Sequence, residues 1–296
     1  MRALQVTAAR VLVCLSAVFC LFLRPCHAGK DFTVLTSFYP MYIMTVNVAG
    51  GITGVTVSNL TPPVTGCLHE YSLTTENMKK IDGADVLVVN GAGMESFLDK
   101  AKSANPRLQV VTLSDGVPLI TQGGAVNPHV WVSVSGAMTE VRNLVAGLSK
   151  ADPAHRAEYE KNGGAYLSKL EALRARMEKE LAPFRGRQII TFHEAFPYFA
   201  REFGLRVAAV IEREPGSSPS ARELAQTVDI VRRAGIKALF VEPQYSPAAA
   251  ETIARETGTR VNVLDPAVTG PDEPDAYLAV MERNLETLKQ ALGGEG

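Results

Sequence analysis

The chain has 296 residues, of which 46% are hydrophobic and 21% charged. That excludes a collagen-like or disordered polymer and leaves room for two cored lobes. Thirty basic residues against 31 acidic ones give a formal charge of -1, so no basic field exists to hold a nucleic acid or an anionic membrane surface.

Arg2 and Arg10 precede an apolar run, Val11 to Leu23, followed by Arg24-Pro25-Cys26-His27-Ala28. This is the layout of a secretory signal, with cleavage expected after Ala28 and the product expected in the periplasm. The run is shorter than the roughly 20 residues a membrane-spanning helix needs. None of Cys14, Cys20 or Cys26 follows the Leu-small-small pattern of a lipid-modified cysteine, so a form without a lipid anchor is expected. The segment holds three arginines and no acid, so 27 basic and 31 acidic residues remain beyond it, with Cys67 as the single cysteine. One cysteine cannot close an internal disulfide, and stability has to come from core burial.

Beyond Lys30 the chain alternates short β-branched runs with helically spaced stretches. Phe32 to Thr36, Val55 to Val57, Asp85 to Val89 and Leu108 to Val111 read as buried strands, separated by helices over Met41 to Ala49, Thr75 to Gly83 and Met94 to Ala101. The alternation returns with strands at Gln188 to Thr191, Arg206 to Val210, Ala238 to Val241 and Val261 to Leu264. Between these halves, Asp152 to Leu181 is rich in Ala, Glu, Lys, Arg and Leu, and Tyr159, Tyr166, Leu170, Leu173 and Met177 recur at helical spacing. Asp152 as N-cap, Pro153 at the first position and loosening at Gly163-Gly164 are expected. The fold class is therefore α/β: two βα lobes with mainly parallel sheets, 29–150 and 185–296, joined by one long backbone helix within 151–184. A stiff connector implies limited hinge motion.

In doubly wound sheets ligands bind beyond the carboxyl ends of the strands. There the sequence places His69 in a Pro/Gly loop, His193 directly after a strand, and Asp265 after the last strand; His129 precedes the helix that closes the first lobe. Three imidazoles and one carboxylate make a complete tetrahedral set for zinc, and four filled positions leave none for an activated water. Spacing alone leaves open the ordinary reading of a loop histidine as a hydrogen-bonded structural residue. Glu242 follows a buried strand and either orients a ligand imidazole or pairs with another buried donor. His155 reads as solvated, Gly91-x-Gly93 as a turn before a helix, and Ser218 before Pro219 as an N-cap.

The segments Gly66-Cys67-Leu68-His69-Glu70-Tyr71, Asn90-Gly91-Ala92-Gly93-Met94-Glu95, Asn127-Pro128-His129-Val130-Trp131, His193-Glu194-Ala195-Phe196, Phe240-Val241-Glu242-Pro243 and Asp265-Pro266 resemble, in order, the motif series of the zinc/manganese substrate-binding proteins of ABC importers. The resemblance implies a metal held in the cleft between two lobes by His69, His129, His193 and Asp265, and delivery by a monomer to a membrane permease. It implies no catalysis. Two departures stand out: Cys67-Leu68 where the family usually has an Asp-Pro or similar pair, and Pro197 where glycine is common. Proline is tolerable there if His193 caps the helix, and Cys67, beside the site, reads as a small buried apolar residue, with a soft thiolate ligand or an oxidisable thiol as the alternative. A third imidazole at position 193 favours zinc over manganese. Two rivals remain: a metal-dependent hydrolase with Glu70 or Glu194 as general base, and an adhesin-like surface protein with a structural metal.

Overall fold

A computed structural model of the chain describes residues 31–69, 71–122, 124–211 and 219–294. The signal-like segment with its three cysteines, Glu70 and Ser218 lie outside the described residues. Strands β1 (Phe32–Thr36), β2 (Val55–Asn59), β3 (Val86–Val89) and β4 (Gln109–Thr112) alternate with helices α1 (Tyr39–Ala49), α2 (Thr75–Gly83) and α3 (Leu98–Ala104). The strands form one parallel sheet in the order β2-β1-β3-β4. All four residues of β3, Val-Leu-Val-Val, are buried, as expected of a central strand with helices over both faces. A short antiparallel pair, β5 (Thr121–Gln122) with β6 (Ala125–Val126), follows, and then α4 (Val134–Ala151).

The second lobe has β7 (Gln188–Thr191), α6 (Pro197–Phe203), β8 (Arg206–Val210), α7 (Ala221–Ala234), β9 (Ala238–Val241), α8 (Ala248–Thr257), β10 (Arg260–Val263) and α9 (Ala276–Gly293), with α5 (Arg156–Leu181) joining the lobes. Its parallel sheet runs β10-β9-β7-β8. Counted from each lobe's first strand, both sheets have the order 2-1-3-4. Strand order therefore reverses between β1 and β3 and again between β7 and β9, where the loops at the strand ends diverge and leave a crevice. Ser37 and Asn90 stand at the first of these points, and Phe192, His193 and Glu242 at the second.

The backbone helix differs from expectation at its start and middle. Pro153–His155 is a 3₁₀ turn, and Asp152 makes no side-chain cap. Its Oδ2 instead pairs with His155 Nδ1 at 2.6 Å and accepts from the Tyr159 hydroxyl at 2.8 Å, which leaves His155 half-buried instead of solvated. The helix continues unbroken through Gly163-Gly164, for 26 residues or roughly 39 Å. Gly163 is buried because α4 comes so close that a Cβ there would collide with the Val145 side chain, whereas Gly164 faces open space. The five apolar positions from Tyr159 to Met177 are all buried, and they join a core that also includes Val34, Leu87, Phe199 and Leu285, one cluster spanning both lobes. A smaller cluster around Ile190, Leu239 and Ile253 covers part of the second sheet.

Three helix starts also move. Helix α3 begins at Leu98 instead of Met94 because the Glu95 carboxylate is committed to the end of β3: it accepts from the N–H groups of Asn90 and Gly91 and from the Ser37 hydroxyl. Pro197 is itself the first residue of α6, so His193 is not its cap. The cap of α7 is Ser220, whose hydroxyl accepts from the Glu223 N–H while Glu223 reaches back to the Ser220 N–H, a reciprocal capping box.

Candidate metal centre

The loop after β2 is pinned by Leu60 and Leu68, both fully buried. Gly66, at φ 80°, takes the left-handed turn that glycine adopts without a Cβ penalty. From there Leu68 is buried in the core, while the Cys67 sulfur and a His69 ring nitrogen belong to one group of donor atoms. His129 is fully buried. The Asn127 side-chain oxygen accepts from its backbone N–H at 3.0 Å and from ring Nδ1 at 2.9 Å, which leaves the lone pair on Nε2. Asn90 Nδ2 donates to the Pro128 carbonyl at 3.0 Å, tying this loop to the end of β3. His193 comes two residues after β7, and its backbone N–H donates to Glu242 Oε1 at 3.3 Å.

These loops bring four donor atoms together. His129 Nε2 is 3.3 Å from His69 Nε2, 3.1 Å from His193 Nε2 and 3.6 Å from Cys67 Sγ, and all four atoms lie within 4.8 Å of one another. The three rings are inclined at 56 to 81° to each other, so they meet by their edges. One nitrogen with one lone pair cannot satisfy three such neighbours by hydrogen bonding; a cation between them can. Ligands at tetrahedral angles around zinc, with Zn–N of 2.0–2.1 Å and Zn–S of 2.3 Å, would be separated by about 3.3–3.4 Å for N···N and about 3.6 Å for N···S.

The surroundings favour uncharged groups. Burial, with the nearby His193 and His69, lowers the His129 pKa well below the imidazole value, so the ring is neutral and ready to ligate. Burial pushes the Glu242 carboxyl up to about 8, against the His193 N–H that holds its charged form and with Asp265 adding repulsion. Burial raises Asp265 as well, opposed by the Ala267 N–H and by Arg283. The Cys67 thiol is pushed well up by burial first and Glu242 second.

Of the residues expected at the centre, His69, His129 and His193 converge. Asp265 follows β10 but does not join the four-atom group. Its Oδ1 accepts from the Ala267 N–H at 2.8 Å, and its own N–H donates to Asn284 Oδ1 at 2.9 Å. Glu242 meets His193 through the main chain and not through the ring. Cys67 is half-buried with its sulfur in the group. The orienting roles of Asn127, Asn90 and Glu95 were not read from the sequence, although Asn127 two positions before His129 was visible in its motif. The centre joins the lobes through polar contacts, two of them buried: Asn127 Nδ2 to the Glu194 carbonyl, which is part-buried, and the Tyr198 hydroxyl to the Asn127 carbonyl and Trp131 Nε1 to the Pro266 carbonyl, which are buried, at 2.7 to 2.8 Å.

Residues 34–291 match the family described as zinc-uptake complex component A, periplasmic. Zinc-binding lipoprotein AdcA of Streptococcus pneumoniae is 30% identical over 97% of this chain and 62% of its own length, so the chain spans less than two thirds of that relative. The high-affinity zinc uptake system protein ZnuA of Bacillus subtilis is 29% identical, over 89% of this chain and 88% of its own. Among solved structures, the substrate-binding protein FpvC of Pseudomonas aeruginosa in complex with Mn2+ superimposes with a TM-score of 0.81 at 33% identity, covering 90% of this chain and 100% of that one. With the family model matched over most of its length, the chain belongs to the family described as zinc-uptake complex component A, periplasmic, the periplasmic metal-binding proteins of ABC importers.

Proposed function

We propose that this protein captures a divalent transition metal outside the cytoplasm, zinc in preference to manganese, and hands it to an ABC permease, acting as a monomer without catalysis. The observation that carries this reading is the convergence of three imidazole nitrogens from both lobes, with His129 Nε2 at 3.3 and 3.1 Å from the other two. His69 and His129 come from the first lobe and His193 from the second, so one ion ties the lobes together. The family motif puts Asp265 at the remaining position, but in the structure its carboxylate stands outside the four-atom group and accepts from the Ala267 N–H. Supporting the export half, the family is a periplasmic one. The name of AdcA, a lipoprotein, lends no weight to the expectation that a lipid anchor is absent.

The chemistry is ligand exchange. The test is a titration of chelator-stripped protein with zinc and with manganese, each against a chromophoric chelator, beside His193→Ala. One ion per chain, zinc tighter than manganese, and loss of binding in the variant are expected. Folded protein that binds neither ion would sink the reading, and turnover of ester or phosphoester substrates abolished by chelation would replace it with the hydrolase.

A further inference from the structure

We infer that the Cys67 thiolate is a ligand of this centre and the residue that biases it toward zinc and away from manganese. The inference rests on the metal-carrier reading and names the donor that sets its selectivity. Cys67 Sγ stands 3.6 Å from His129 Nε2, the N···S separation of about 3.6 Å that a tetrahedral zinc imposes. The sulfur lies in one group with the three imidazole nitrogens. Asp265, by contrast, stays outside that group with its Oδ1 held by the Ala267 N–H. Cys67 lies between the left-handed Gly66 and the buried Leu68, and its sulfur shares one donor group with the His69 ring.

Cys67 also lines a cavity of about 150 Å³ shared with Gly66, Glu242 and Tyr245. At about 30 Å³ per water that is room for a few waters, enough for a partly hydrated ion. No other member of the four-donor group lines it, so Cys67 is the donor common to the cavity and the centre. On binding, a water leaves the ion, the sulfur takes its place, and the thiol proton passes to solvent. A thiolate is a soft donor suited to zinc, whereas manganese prefers carboxylate, carbonyl and water oxygens. Its negative charge also offsets half of the dication's charge in surroundings that disfavour an isolated ion.

The test loads cobalt(II) into chelator-stripped protein, Cys67→Ser and Cys67→Asp, and measures zinc and manganese affinities of each. The unmodified protein is expected to show a sulfur-to-cobalt charge-transfer band together with the visible bands of a four-coordinate site. Cys67→Ser should keep the visible bands and lose the charge-transfer band. Its zinc affinity should fall by at least the roughly 10–100-fold that loss of a ligand's hydrogen-bond partner costs, with a smaller change for manganese. Cys67→Asp, which returns a carboxylate, should narrow the zinc-to-manganese ratio further. Cobalt bound without the charge-transfer band, or an unchanged ratio in both variants, overturns the inference and leaves the metal-carrier reading intact. Folded unmodified protein that binds neither cobalt nor zinc overturns both.

Discussion

Within the first lobe, Glu140 on α4 is fully buried, and neither carboxylate oxygen has a hydrogen-bond partner among the described residues. Burial first, and the nearby Glu95 second, raise its pKa well above the ordinary glutamate value. The native state therefore keeps this proton at pH values where the unfolded chain, titrating near 4.3, has released it. Because the native state binds more protons, stability falls as pH rises above about 4.3 toward the raised native value. Glu140→Met removes both the titration and the buried unpartnered oxygens, and is expected to stabilise the metal-free protein by about 1–3 kcal/mol. The gain should be larger at pH 8 than at pH 5 in urea unfolding. A gain independent of pH, or a loss at both values, would show that Glu140 is ionised in the native state. The same scale separates what the sequence revealed about the centre from what it hid. His69, His129 and His193 were legible because each follows a strand or opens a helix in a recognisable motif. Cys67 was legible only as an alternative to packing, because nothing in the sequence fixes whether its sulfur turns toward the neighbouring imidazoles or into the core. Asn127 was hidden for a related reason: its side chain folds back on its own loop, and no periodicity reports that.

Along single elements, periodicity located most strands and helices, and it failed where side chains take over backbone groups. Glu95 delays α3 by binding the amides after β3. Asp152 engages His155 and Tyr159 and so does not cap the backbone helix. The Gly163-Gly164 pair is the clearest case, since composition reads two adjacent glycines as one weak point, whereas the fold gives them opposite surroundings. Gly163 lies where α4 and α5 touch, and a side chain there meets Val145. Gly163→Ala is therefore expected to destabilise the protein by about 1–3 kcal/mol through overpacking. Gly164→Ala meets nothing within 4 Å and should stabilise it by roughly 0.8–1 kcal/mol through helix propensity. Thermal unfolding of the two variants checks this; equal shifts would mean that the helices separate easily enough to admit a methyl group, and that α5 is not held tightly against α4.

For the whole molecule, the two lobes repeat one strand order, 2-1-3-4, although no sequence repeat announces it; topology is set by which β-branched runs pair, and many sequences satisfy the same pairing. The repeat places a crevice in each sheet, and the ion proposed here lies where loops from both lobes converge. Its removal deprives the protein of one link among several, because the contiguous core through α5 and the hydrogen bonds from Asn127, Tyr198 and Trp131 persist without it. The metal-free protein is accordingly expected to unfold cooperatively, with the helical signal of the loaded form. Zinc should raise stability only by mass action, by about 2.7 kcal/mol when free zinc is 100 times the dissociation constant, and so the midpoint should climb steadily with zinc concentration. A carrier has to fold empty and load afterwards, while a structural metal belongs to the folded state itself. Loss of the folded signal on chelation would therefore favour the adhesin-like reading, and an intact empty form whose midpoint tracks zinc would favour transport.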